Sequence, residues 1–148
     1  MLKNFKWKLA LLTVLLAGIA AASARAQSAA TQIDHTKVEA AFAKGMPLLE
    51  TNNFKIHASR REAPGLAEIH TRDTDIVYVL EGTATLVTGG KALQPKTVAP
   101  HEIRGEAIEG GEVRRIGKGD VVVIPNGVPH WFKKVDGLLL YYVVKVTN

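Results

Sequence analysis

Two imidazoles and two carboxylates, set at short regular intervals, are the part of this sequence best equipped for chemistry. Glu68 and His70 lie two apart, Asp75 follows after four residues, and His130 stands just beyond Pro125-Asn126-Gly127. In a β-strand, residues two apart face the same side, so an extended Glu68–His70 segment projects both groups together. The polar run from Thr71 to Thr74 reads as a turn or loop, and Asp75 opens a new apolar strand, Ile76 to Leu80. Pro-Asn-Gly is a turn composition, after which His130 starts a third strand. Two imidazoles and a carboxylate suit non-haem iron or a similar divalent ion with open positions. Glu68 is then either a fourth ligand or a free acid/base beside the metal. The alternative for His70, Asp75 and His130 is a hydrogen-bonded polar cluster without metal.

From Glu68 to Lys134 these residues resemble the cupin superfamily. Its first motif is His-x-His, a Glu after four more residues and a Gly after six. Glu68-x-His70, Asp75 and Gly82 stand in those places. Its second motif is a Gly, five residues, Pro-x-Gly, two residues, a His, and an Asn after three. Gly119, Pro125-Asn126-Gly127, His130 and Lys134 stand there. The resemblance implies an all-β double-stranded β-helix, or jelly-roll barrel, and a divalent metal (Fe, Mn or Zn) held by Glu68, His70, Asp75 and His130.

Three residues depart from the pattern. Glu68 replaces a His, Asp75 a Glu, and Lys134 an Asn. Two carboxylates bring a divalent ion close to zero net charge, where one leaves it near +1. Such an ion is a weaker Lewis acid. Lys134 shares strand parity with His130 and Phe132, but a place at the solvated strand end is the simpler expectation.

Positioning these groups requires a sheet on each side of a cavity. Asp34 to Lys44 reads as a short helix capped by Asp34, with Val38, Ala41 and Phe42 at helical spacing and Gly45 and Pro47 beyond its end. It is expected to cover an end or edge of the barrel, or to lie in a dimer contact. Asn53 to Arg61 alternates as a strand, with Phe54, Ile56 and Ala58 on one face. His57 on the other face reads as a surface or interface residue, and Arg60 and Arg61 as solvated charges. Thr83 to Thr88 is a strand, and Thr88-Gly89-Gly90-Lys91 a hairpin turn. Lys91 to Gly111, rich in Pro and Gly, is either a mobile lid or a structured loop. It carries His101 and Arg104, which with Phe132 are the candidate substrate contacts. Glu112 to Ile116, Val121 to Ile124 and Leu138 to Val146 complete the strands. Tyr78 and Trp131, off the ligand face, are expected to pack. Short strands at close intervals indicate a sandwich or jelly roll. The last strand is apolar on both faces, which predicts a homodimer or a covering helix.

The chain's 148 residues suffice for one domain. Lys3, Lys6 and Lys8 precede an apolar run, Leu9 to Ala22, and then Ala24-Arg25-Ala26. That pattern predicts a secretory signal peptide over residues 1–26, too short to be a preferred membrane span. A tail and helix over 27–52 and a barrel over 53–148 would follow. Without the signal, 15 basic side chains face 14 acidic ones, so the formal +5 falls to +1. Nucleic acid is therefore a poor partner, and no membrane contact is expected after cleavage. With no Cys, the fold does not rest on disulfides. The periplasm, or secretion, is the expected destination. Together these features predict an exported metal-binding protein that acts on or binds a small organic molecule. The enzymatic forms are a dioxygenase, isomerase or decarboxylase; the alternative is a non-catalytic ligand-binding or dimerising module.

Overall fold

Two antiparallel sheets face each other across the interior of the computed structural model, which describes residues 29–148. The predicted signal segment lies outside the described residues. Among those residues, no helix is long and apolar enough to cross a membrane.

The helix forms where the cap predicts. In α1 (His35–Lys44) the Asp34 carboxylate accepts from the Lys37 backbone N–H at 3.1 Å, satisfying one of the free donors of the first turn. Gly45 ends it, its N–H bonding back to the Ala41 carbonyl. Met46–Glu50, read in the sequence as the chain beyond the helix, is a strand, β1. It pairs with β2 (Phe54–Arg61) through a bulge between Pro47 and Leu49. The bulge hides the strand, because it breaks the alternation a strand would otherwise show.

Next come β3 (Ala67–His70), β4 (Asp73–Glu81) and β5 (Thr83–Thr88). The tight β4–β5 link depends on Gly82. Its φ is +81°, and a Cβ there would sit 1.9 Å from the Leu138 carbonyl oxygen. The predicted hairpin after β5 does not form between neighbours: β5 pairs with β10 (Glu112–Gly117) and β12 (His130–Val135). The segment between is structured rather than a lid. It holds β6 (Lys91–Ala92), β7 (Lys96–Ala99), β8 (Glu102–Gly105) and β9 (Ile108–Glu109), and β8 extends a sheet by pairing with β3. β11 (Val121–Ile124) and β13 (Leu139–Thr147) finish the chain.

Of the two facing sheets, one has the order β1-β2-β13-β4-β11 and the other β10-β5-β12-β3-β8-β7, while β6 and β9 form a separate two-stranded sheet. β3 and β4 are consecutive yet lie in opposite sheets, so the Thr71–Arg72 corner carries the chain across the barrel. Inward side chains of both sheets, including Val77, Val79, Ala84, Leu86, Ile116, Leu139 and Tyr141, make the core. Burying a side chain such as Leu86 stabilises by about 1.5–3 kcal/mol.

The outer face of β13 is covered in part by the helix. Phe42 meets Tyr142 edge to face at 5.0 Å. Tyr78, expected to pack, lies instead 44% exposed on the outer face of β4, beside exposed Val121. Trp131 does pack, donating from Nε1 to the Gly65 carbonyl at 2.7 Å.

Candidate functional site

Pairing register, more than sequence spacing, assembles the site. β12 meets β3 at a single position, His130 opposite Glu68. This sets His130 beside Glu68 and His70 on the inner face of one sheet. Across the cavity, Asp75 at the start of β4 stands opposite Lys145 on β13 in the other sheet. All four predicted ligands therefore face one interior, which has a volume of about 450 Å³.

Their surroundings separate them. One donor atom each from Glu68, His70 and His130 falls within 4.8 Å of the others, close enough for one ion. Glu68 Oε2 is 3.7 Å from His70 Nε2. The two rings are tilted, with centroids 5.1 Å apart. His70 Nε2 is buried and makes no hydrogen bond. A buried polar atom without a partner is costly, so its orientation fits a metal ligand. His130 directs Nδ1 to the Val128 carbonyl at 3.2 Å, which as a donor frees Nε2 for a metal. Burial, opposed by the Asp75 charge, holds the His130 pKa below the ordinary imidazole value. The ring is thus neutral near pH 7, as ligation requires.

Asp75 is also close, its Oδ2 lying 3.4 Å from His70 Nε2 and 3.9 Å from His130 Nε2. Both of its oxygens, however, accept from Lys145 Nζ at 2.8 Å. Burial pushes the Asp75 carboxyl up, but the His70 ring and the Lys145 ammonium outweigh it and hold the pKa below the usual carboxylate value. Glu68 is held on one side only, by Arg61 Nη2 to Oε1 at 3.2 Å.

Arg61 corrects the expectation of a solvated charge. It lines the cavity, donates from Nε to Tyr141 Oη at 2.9 Å, and stacks over Phe132 at 4.6 Å. Burial pulls its pKa down, but Tyr141 and Glu68 more than restore it, and it stays charged. Gly65 makes room for it: a Cβ there would lie 2.4 Å from Arg61 Nη1. His57 shares the same inward parity and also lines the cavity, so the polar face of β2 is the inside of the barrel. Its apolar face is the outer one, where Ala58 is fully buried and β2 packs against α1.

Of the candidate substrate contacts, Phe132 and Arg104 line the cavity. Arg104 holds Glu102 through Nε and Nη2, at 2.8 and 2.6 Å. His101 does not line it; it sits exposed on a turn, 3.3 Å from Thr71 Oγ1. Lys134 points to solvent and pairs with Asp136 at 2.7 Å. A bulge between Phe132 and Lys134 breaks the parity that would have turned it inward.

Lys145, Arg61 and Tyr141 were not among the predicted site residues. Lys145 had a legible signal, as the one charge at the inward parity of Leu139, Tyr141 and Val143.

Residues 22–148 match the family model described as Cupin. The chain belongs to the cupin family. By sequence, no curated protein matches this cupin significantly. Its fold is similar to solved structures at low identity. A Bacillus halodurans protein superposes with a TM-score of 0.55 at 14% identity, covering 76% of each chain. An RmlC-like cupin with a double-stranded β-helix fold from Methanocaldococcus jannaschii gives 0.50 at 15%, covering 70% of this chain and 78% of that one. KdgF from Halomonas sp. gives 0.50 at 19%, covering 69% and 77%. The cupin fold and the jelly-roll expectation therefore hold.

Proposed function

We propose that this cupin is an exported protein that binds a divalent metal through Glu68, His70 and His130 and takes a small anionic organic molecule beside it. The observation that carries the reading is the convergence of three donors, one an orphaned buried nitrogen, on a cavity of about 450 Å³. When bound, such an ion polarises ligand oxygens.

The charge of the wall supports an anion. Four cations line the cavity: Arg61, Arg104 and Lys145 pair with Glu68, Glu102 and Asp75, and Arg60 with Glu62 outside the lining. A divalent ion held there leaves the wall with excess positive charge even with Glu68 as its ligand, and buried charge is costly unless paired. An oxygen-rich acid would supply the balance, with Phe132 offering an apolar wall. Arg104, 41% exposed at its side chain, is the cation best placed to exchange Glu102 for a ligand carboxylate.

Export is supported by the basic, apolar and small-residue order of residues 1–26. A homodimer is supported by β11, an edge strand whose Val121 and Val123 are exposed beside Tyr78. Its check is sedimentation equilibrium, where a monomer at micromolar concentration rejects the dimer.

The decisive experiment is elemental analysis of protein purified from its native compartment, followed by thermal melting with the metal and a panel of small mono- and dicarboxylates. One equivalent of Fe, Mn or Zn, and acids that raise Tm only in the loaded protein, are expected. Folded protein that takes up none of these ions would sink the reading. Product formation from a stabilising acid identifies an enzyme; stabilisation without product identifies a binder.

A further inference from the structure

The two carboxylates of the cavity are held in different ways. Glu68 gives one oxygen to Arg61 and leaves Oε2 turned toward His70. Asp75 gives both oxygens to one ammonium. We propose that Lys145 sets the ligand set of the metal, keeping Asp75 as its own counter-ion so that Glu68, His70 and His130 alone hold the ion. This inference rests on the metal reading above and adds a role for a residue that the cupin motifs do not contain.

The geometry makes the arrangement hard to exchange. Lys145 stands directly opposite Asp75 in the β13–β4 register, at the inward parity of an otherwise apolar strand. Its side chain is 16% exposed and that of Asp75 6%. If Asp75 moved to a metal, it would leave a largely buried ammonium unpaired beside a dication. Burying an unpaired charge is heavily penalised, and the two cations would repel across a few ångströms of poorly screened space. With Asp75 in place, its carboxylate stands between the ammonium and the ring nitrogens.

The consequence is electrostatic. Two coordinating carboxylates would bring the ion near zero net charge. With Asp75 neutralised by Lys145, only Glu68 offsets the ion, which keeps about +1. Lewis acidity lost by placing two acids in the motif is thereby recovered. Three protein ligands on one side also leave open positions for a small molecule.

The test is titration of the metal-free protein with Zn(II), and with Co(II), whose visible spectrum reports ligand number and type. Glu68→Gln should lose affinity by more than about 100-fold, beyond the loss typical of supporting groups. Asp75→Asn strands the Lys145 ammonium near the ion and should weaken binding by repulsion, but with an unchanged Co(II) spectrum, because no ligand is lost. Lys145→Met frees Asp75 to ligate and removes a nearby cation, so affinity should rise by about tenfold, the scale on which groups around the ligands act, with a shifted spectrum. Lys145→Met leaves a buried carboxylate unpaired and is at risk of misfolding. The double variant Asp75→Asn/Lys145→Met removes both charges and should bind like wild type. Loss of binding in Asp75→Asn and in the double variant, as severe as in Glu68→Gln, would make Asp75 a ligand and overturn the inference while leaving the metal reading intact. Folded wild-type protein that binds neither ion would overturn both.

Discussion

The two halves of the barrel interior are made by the same strands and filled in opposite ways. β4 runs inward from Asp75 through Val77 to Val79, and β13 from Leu139 through Tyr141 and Val143 to Lys145. One half is closed by Leu86, Leu139, Val79 and Ala84, all with no exposed surface. The other is a cavity walled by Glu68, Asp75, Arg61 and Lys145. Val77, Phe132, Tyr141 and Val143 belong to both, so the floor of the cavity is the top of the core. The contrast shows how a small barrel sustains a costly site. Apolar burial in one half supplies stability, and the strands carry that rigidity to the ionic groups in the other.

If this division holds, damage to each half should stay there. Leu86→Ala strikes the closed half and should cost about 2–5 kcal/mol, read as a lower urea midpoint. Metal affinity of the folded fraction should be unchanged; a parallel loss would show that the halves are not separable. His130→Ala strikes the open half. It should lower metal affinity by more than about 100-fold, since supporting groups alone reach that range, and calorimetric titration would show it. The Tm of the metal-free protein should fall far less than in Leu86→Ala.

Tyr141 spans the boundary, with its ring stacked on Phe132 at 5.2 Å and its hydroxyl bonded to Arg61. Tyr141→Phe should therefore cost about 1 kcal/mol of stability for the lost bond and, by loosening Arg61 and Glu68, lower metal affinity by less than about tenfold. An effect on stability alone would break the proposed link from Tyr141 to Glu68.

The smallest effect is expected at the rim of the closed half. Asp136 accepts from Thr83 Oγ1 at 3.1 Å and pairs with Arg115 and Lys134. The Lys134 contact, then Thr83, holds its pKa below the ordinary value. A lowered folded-state pKa means the contribution is fully present above the unfolded value, about 3.9. It is lost as pH falls through the folded value. Asp136→Asn should flatten stability against pH only on that acid limb, without touching metal binding. An equal change at pH 7 and pH 3 would remove Asp136 from the account.

Much of the scaffold was readable in advance because its signals are local. Asp34 caps the helix through its own next turn, and Val121–Ile124 and Leu139–Thr147 announce themselves by apolar composition. The segment 91–111 was harder, since its strands are only two to four residues long, and β8 pairs outside the segment with β3. The bulges after Pro47 and Phe132 defeated parity, concealing β1 and misdirecting Lys134.

The sequence by itself determined that Glu68, His70 and His130 occur at motif spacing on extended segments, because alternation in a strand is a property of a few neighbouring residues. Only the tertiary structure decided that the polar face of β2 is the inside, that Arg61 braces Glu68, and that Lys145, seventy residues away, occupies Asp75. Those outcomes depend on which strands pair and in what register. Register is chosen by burial of the whole sheet face rather than by any residue in it.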